Sequence, residues 1–176
     1  MHKDVKEILF SEEQIKTRCK ELAAQIDHDY QGENILMVGL LKGSVPFMAE
    51  LSKYIQTPVT FDYMKVSSYQ GVESKTFAVK YDLTQDIEGL NVLIVEDILD
   101  TGKTLSNVKE MLQARKAKSV KIVTLLDKKE ARKFDMEADY VGFDIPDAFV
   151  IGFGLDYNEN YRQFPYVGIL KEEVYM

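Results

Sequence analysis

Residues 92–104 read Val-Leu-Ile-Val-Glu-Asp-Ile-Leu-Asp-Thr-Gly-Lys-Thr, and the reading of this stretch decides the fold. The apolar run 92–95 has the β-branched character of a buried parallel strand, and it ends in two adjacent carboxylates, Glu96 and Asp97. A third acid, Asp100, precedes Thr101-Gly102-Lys103-Thr104, a segment suited to open a helix. That turn offers backbone N–H groups, a hydroxyl at each end and one ammonium, the parts of an anion cradle at a helix N-terminus. Gly102-Lys103-Thr104 matches the end of a nucleotide-triphosphate P-loop, but that motif needs a glycine five positions earlier, where Asp97 stands. An acid there would face the phosphates the loop must wrap, so the P-loop reading fails. Phosphate-binding groups beside paired acids suit a ligand with a phosphate, a sugar and a divalent cation. For so short a motif the bland alternative is a capped helix with solvated acids.

Outward from this stretch, apolar runs alternate with helical stripes. Ser11-Glu12-Glu13-Gln14 is a capping box, and Ile15, Cys19, Leu22, Ala23 and Ile26 then form one helical face ending before Gly32. Residues 34–41 read as a continuous apolar strand, and Gly43-Ser44 opens a helix carrying Phe47, Met48, Leu51 and Ile55. Residues 58–66 alternate as a strand, 67–74 are a polar loop, and 77–81 return as an antiparallel strand. A helix over about 102–114 turns Leu105, Val108, Met111 and Leu112 inward; strands follow at 120–126, 139–143 and 149–153. This order predicts an α/β fold, a doubly wound and mostly parallel sheet flanked by helices. Three polar clusters fall at predicted strand ends: Leu41-Lys42-Gly43, Glu96-Asp97 and Asp127-Lys128. Ligands bind outside the carboxyl ends of strands in such sheets, so the clusters are expected to share one crevice.

With 176 residues the chain suits one domain, and 45% hydrophobic with 29% charged residues describes an ordinary globule. A net charge of -7 argues against nucleic acid or an anionic membrane as the main partner. One cysteine and two isolated histidines exclude a disulfide framework and an ordinary zinc site. Cys19 lies on an apolar stripe and reads as a small buried hydrophobe. The N-terminal Met-His-Lys-Asp-Val-Lys-Glu has no apolar segment and no run approaches membrane length, so a reducing cytoplasm is expected.

Residues 92–104 resemble the phosphoribosyl-pyrophosphate (PRPP) signature of the type I phosphoribosyltransferases, and the aspartate at 100 is similar to their 6-oxopurine branch. The resemblance extends in order from residue 40 to 162. It implies Mg²⁺-dependent transfer of the phosphoribosyl group of PRPP to N9 of hypoxanthine or guanine, giving IMP or GMP and pyrophosphate. In the branch it resembles, Leu41, Lys42 and Gly43 bind pyrophosphate around a non-proline cis peptide, and Arg162 reaches the same anion. The resemblance implies that Thr101, Gly102, Lys103 and Thr104 grip the 5′-phosphate, that Glu96 and Asp97 hold the ribose, and that Asp100 is the general base toward N7. It also implies that Glu96 and Asp97 reach one Mg²⁺, directly or through water, and that Asp156 anchors a second metal and also meets the base edge. Matched to that branch, Lys128 is expected to donate to the purine O6, whereas Lys129 has no such role; Phe149 is expected to stack on the base and Val150 to offer it backbone groups. The resemblance makes Ser68 and Tyr69 part of a lid, although Ser67 stands where the family often carries lysine. A small hood is implied over the base, built roughly from 1–10 and 145–176, as is a homodimer or homotetramer.

Two rival readings are weaker. Enzymes for adenine or uracil fit poorly, because the Lys128 ammonium cannot accept from an exocyclic amine and uracil has no imidazole for Asp100; xanthine stays open. A regulator that keeps the fold would favour a basic face, against a pI near 5.0. Gly152-Phe153-Gly154 is no dinucleotide fingerprint, since the third glycine would fall at Tyr157.

Overall fold

Alternating side chains along the central strands bury both faces of one sheet, and the edge of that sheet positions the polar clusters. The computed structural model describes residues 1–68 and 77–176. The elements are β1 (Val5–Phe10), α1 (Glu12–Asp29), β2 (Ile35–Leu40), α2 (Ser44–Ser52), β3 (Val59–Ser68), β4 (Phe77–Tyr81) and β5 (Asn91–Leu99). They continue with α3 (Lys103–Ala114), β6 (Ser119–Asp127), β7 (Tyr140–Asp144), β8 (Val150–Ile151), β9 (Val167–Leu170) and α4 (Glu172–Tyr175). The larger sheet has the order β4-β3-β2-β5-β6-β7, and only β4 is antiparallel to its neighbour. This is the doubly wound, mostly parallel α/β arrangement that the alternation of strands and helices predicts.

The period of two decides which helix each strand residue meets. Ile35, Met37, Leu93, Val95, Val123 and Leu125 face α1 and α2 and pack with Ile15, Cys19, Leu22, Phe47 and Leu51. Their neighbours Leu36, Val38, Val92, Ile94 and Ile122 point the other way, onto Leu105, Val108 and Leu112 of α3. Each such fully buried aliphatic side chain contributes about 1.5–3 kcal/mol relative to exposure. The α1 capping box forms as its residues imply: Gln14 N–H donates to Ser11 Oγ, and Ser11 N–H to Gln14 Oε1 at 2.8 Å. Cys19 is fully buried, and desolvation pushes its thiol up to about 12. No described helix is long and apolar enough to cross a membrane.

Several boundaries differ from the sequence-based expectation. β5 does not stop at Val95 but runs through Glu96 and Asp97 to Leu99, because β6 continues to pair with it as far as Leu99↔Asp127. Its pairing with β2 ends at Gly39↔Val95, so the two acids lie in a strand that has lost one neighbour. Ser67 and Ser68 end β3 instead of starting a loop. α2 stops at Ser52, and Ile55 is buried beyond the helix. Met111 is only partly buried. The expected strand at 149–153 shrinks to Val150–Ile151, because Gly152, Phe153 and Gly154 all take positive φ (93°, 47° and 104°) and turn the chain. β1, β9 and α4 had no clear sequence signal. β1, β9 and β8 form a second, three-stranded antiparallel sheet that joins the two ends of the chain. Phe10 at the end of β1 stacks on Phe143 of β7 at 3.9 Å and ties this sheet to the larger one.

Candidate active site

β2, β5 and β6 are direct neighbours, so the turns and acids at their carboxyl ends meet at one edge. The first turn, Leu41-Lys42-Gly43, leaves β2 through a cis Leu41–Lys42 peptide and leads into α2, whose start has no side-chain cap. Gly43 is wedged against the acids: a Cβ there would lie 1.7 Å from Asp97 Oδ2. Gly154 closes on its other side, where a Cβ would lie 1.9 Å from the Gly43 carbonyl oxygen. Only glycines at both positions let three chain segments approach so closely.

Glu96 and Asp97 are partly buried and adjacent. Glu96 Oε1 accepts from the Asp97 N–H at 3.1 Å, and Asp97 Oδ1 accepts from the Ile98 N–H at 2.8 Å. Desolvation, reinforced by the negative charge of Asp97, pushes the Glu96 carboxyl well above the usual carboxylate range. Asp97 is raised as well by desolvation, against opposing hydrogen bonds and the charge of Arg162. Such a pair gains by meeting a cation or ribose hydroxyls. Among the described residues no three His, Cys, Asp or Glu side chains gather to hold a metal alone. Two adjacent carboxylates fit Mg²⁺, which binds through one or two carboxylates and completes its shell with water and substrate oxygens.

The second turn leaves β5 through Asp100, which is exposed, and enters α3 through Gly102 at φ 85°, again with no side-chain cap. Lys103 N–H reaches Thr101 Oγ only at 3.4 Å. A cavity of about 230 Å³ is lined by this turn, including Asp100, Thr101, Gly102 and Thr104, together with Glu96 and Asp97. Lys103 does not line it. Behind the turn stands Arg132, for which the sequence offers no signal. Its Nε donates to the Asp100 carbonyl at 3.0 Å, Nη1 donates to the Met136 carbonyl, and Nη2 pairs with the buried Asp127 carboxylate. The N–H groups of Lys133 and Phe134 both donate to the Thr101 carbonyl, at 3.0 and 3.1 Å.

A neighbouring cavity of about 220 Å³ gathers Asp97, Asp100, Lys128, Phe149, Val150 and Asp156. Lys128 Nζ is largely buried and lies 3.5 Å from Asp147, whereas Lys129 points away to Asp144. Phe149 is 38% exposed and stacks on Tyr175 of α4 at 5.0 Å. Tyr157 meets its edge at 5.6 Å. Neither tyrosine carries a local sequence signal for this contact. Asp156 accepts from Arg162 at 2.9 Å and from the Glu159 N–H at 2.9 Å. Arg162 Nη1 donates to the Gly154 carbonyl at 2.6 Å, which fixes the guanidinium beside the first turn. Lys42 Nζ pairs with Glu159 at 2.6 Å, and that ammonium holds the Glu159 carboxyl below its usual range. Glu159 was not anticipated from the sequence. Of the two lid positions, Ser68 ends β3 and Tyr69 lies outside the described residues.

A mostly parallel sheet with an acid-bearing strand, an uncapped helix start and a lysine-aromatic cavity at its carboxyl edge suits a ligand that carries both a phosphate and an aromatic ring. Residues 6–158 match the family described as phosphoribosyl transferase domain. The chain is 54% identical over 177 aligned residues to a hypoxanthine-guanine phosphoribosyltransferase of Streptococcus pneumoniae, covering 99% of this chain and 98% of that one. A crystal structure of a hypoxanthine phosphoribosyltransferase from Staphylococcus aureus is 54% identical, with TM-score 0.96 over 100% of this chain and 97% of that one. A hypoxanthine-guanine phosphoribosyltransferase from Bacillus anthracis is 43% identical, with TM-score 0.90 over 95% and 99%. The chain therefore belongs to the phosphoribosyltransferase family of pentosyl-transferring enzymes, and within it to the hypoxanthine-guanine phosphoribosyltransferases.

Proposed function

We propose that the protein transfers the 5-phosphoribosyl group of PRPP to N9 of hypoxanthine or guanine, giving IMP or GMP and pyrophosphate. The observation that carries this reading is the shared cavity of Lys128, Phe149, Val150 and Asp156 with Asp97 and Asp100, next to the cavity of the 101–104 turn. A purine laid against Phe149 presents its O6 to the Lys128 ammonium, a charge-assisted donor, and its edge to Val150 backbone groups and Asp156. The 5′-phosphate takes the amides and hydroxyls of 101–104, with Lys103 adding charge, and Glu96 and Asp97 accept from the ribose hydroxyls.

The C1–O bond to pyrophosphate breaks through an oxocarbenium-like transition state as N9 forms the new bond. Lys42, Arg162 and the amides of 41–43 stabilise the charge growing on the leaving anion. Asp100 takes the proton from N7 as N9 bonds to C1, so the ring does not keep the positive charge that ribosylation would leave on it and the purine of the product is neutral. Glu96 and Asp97 would hold one Mg²⁺, directly or through water, and Asp156 a second; the ions would offset the charge of the phosphate oxygens. A lid at Ser68-Tyr69 excludes water from the reactive sugar, and the small sheet with residues 145–176 forms a hood over the base. Purine salvage in the cytoplasm by a homodimer or homotetramer completes the reading.

The test incubates the protein with PRPP, Mg²⁺ and each of hypoxanthine, guanine, xanthine, adenine and uracil, following nucleotide formation. Product from hypoxanthine or guanine that disappears without Mg²⁺ is expected. Product from adenine or uracil alone overturns the role of Lys128; PRPP binding without any product points to a regulator.

A further inference from the structure

The hairpin over 157–160 sets a carboxylate beside the cations that the proposed reading gives to pyrophosphate. Tyr157 and Asn160 exchange both backbone hydrogen bonds, at 3.2 and 3.0 Å, leaving Asn158 and Glu159 as the central residues. Both have positive φ, 49° and 64°, the geometry of a type I′ turn, which favours glycine at the second central position. Glu159 occupies that position at a steric cost that a glycine would avoid. Its side chain reaches two cations at once: Lys42 Nζ lies 2.6 Å from Oε2, and Arg162 Nη2 lies 3.3 Å from Oε1. Lys42 comes from the distant β2–α2 turn, so no local hydrogen-bonding need explains the pair. A strained non-glycine that aims a charge into a site points to a role there.

We propose that Glu159 acts as an internal stand-in for the pyrophosphate anion: it holds Lys42 and Arg162 in the free enzyme and must swing away when the anion binds. This rests on the assignment of those two cations to pyrophosphate. Glu159 is 63% exposed and its pairs are solvent-screened, so a multiply charged anion displaces it readily. Its return favours departure of the product. The Glu159 carboxylate thus weakens pyrophosphate binding and speeds release, while its backbone N–H, which side-chain substitution keeps, still donates to Asp156 of the base cavity.

Calorimetric titration of magnesium pyrophosphate into the intact protein, Glu159→Gln and Glu159→Gly tests this. Both variants are expected to bind about two- to tenfold more tightly, the range that two exposed ion pairs allow. Product inhibition by pyrophosphate should strengthen in parallel, with KM for hypoxanthine unchanged. An equal or weaker affinity in Glu159→Gln overturns the proposal and leaves the pyrophosphate site standing. Tightening in Glu159→Gly alone also overturns it, because backbone strain and not charge would then be the cause. If none of the three proteins binds, the assignment of Lys42 and Arg162 fails and the proposal fails with it.

Discussion

Two strand-to-helix turns stand side by side at the carboxyl edge of the sheet, 41–43 after β2 and 100–102 after β5, and they are finished in different ways. Both enter helices with no side-chain cap. The second turn is braced from behind, where Arg132 and the 133–134 amides hold the carbonyls of Asp100 and Thr101. Its front lines an open cavity. The first turn is pressed between Asp97 and Gly154, and its lysine is engaged by Glu159. One motif therefore yields a rigid open anion cradle and a crowded, charge-compensated one. The open cradle at 100–102 suits a phosphate that stays through the proposed reaction, the crowded one at 41–43 an anion that must leave.

The largest expected effect tests the acid at the mouth of the second turn. Asp100→Asn should lower kcat by about a hundred- to ten-thousand-fold with PRPP affinity retained, as single-turnover kinetics and PRPP titration would show. Unchanged turnover would remove Asp100 from proton transfer.

Next is the brace. Arg132→Met leaves the Asp127 carboxylate buried without its partner and should cost about 3–5 kcal/mol in urea unfolding. Adding Asp127→Asn should recover part of that loss. A cost near zero would mean that the rigidity of the second turn comes from elsewhere.

Gly43→Ala should cost about 1–3 kcal/mol, because a Cβ meets the Asp97 carboxylate and the neighbouring strand end cannot retreat far. Its KM for PRPP should rise as well. Gly102→Ala faces side chains at 3.1 Å instead, and its penalty of about 1–2 kcal/mol comes from the left-handed backbone. If Gly43→Ala left KM for PRPP unchanged, the crowding of the first turn would have no bearing on the anion.

The smallest effect is assigned to Lys103→Ala, less than about tenfold in kcat/KM for PRPP, since backbone amides carry most of a phosphate contact at a helix start. A larger loss would make the second turn depend on its side chain, as the first does.

Much of the frame was legible because its signals are local. The capping box at 11–14, the face from Ile15 to Ile26 and the apolar run of β5 each lie within a few residues and appear as read. The strand-end rule also brought Lys42, Glu96, Asp97 and Lys128 to one edge, because β2, β5 and β6 are adjacent. β1 and β9 escaped notice because each is a short strand stabilised by a partner at the far end of the chain. Arg132 lies among charged residues with no motif to single it out, and Glu159 in a polar stretch whose left-handed turn has no glycine to mark it.

By itself the amino-acid order determined the alternation of strand and helix, the two apolar faces of each central strand and the chemistry available at the strand ends, because periodicity, capping and turn residues act over a few positions. Only the tertiary structure decided which charges meet: Arg132 with Asp127 behind the second turn, Glu159 with Lys42 before the first, and Tyr175 against Phe149. Those pairings depend on how distant segments are brought together, and a charged or aromatic residue in sequence does not say where the fold will aim it.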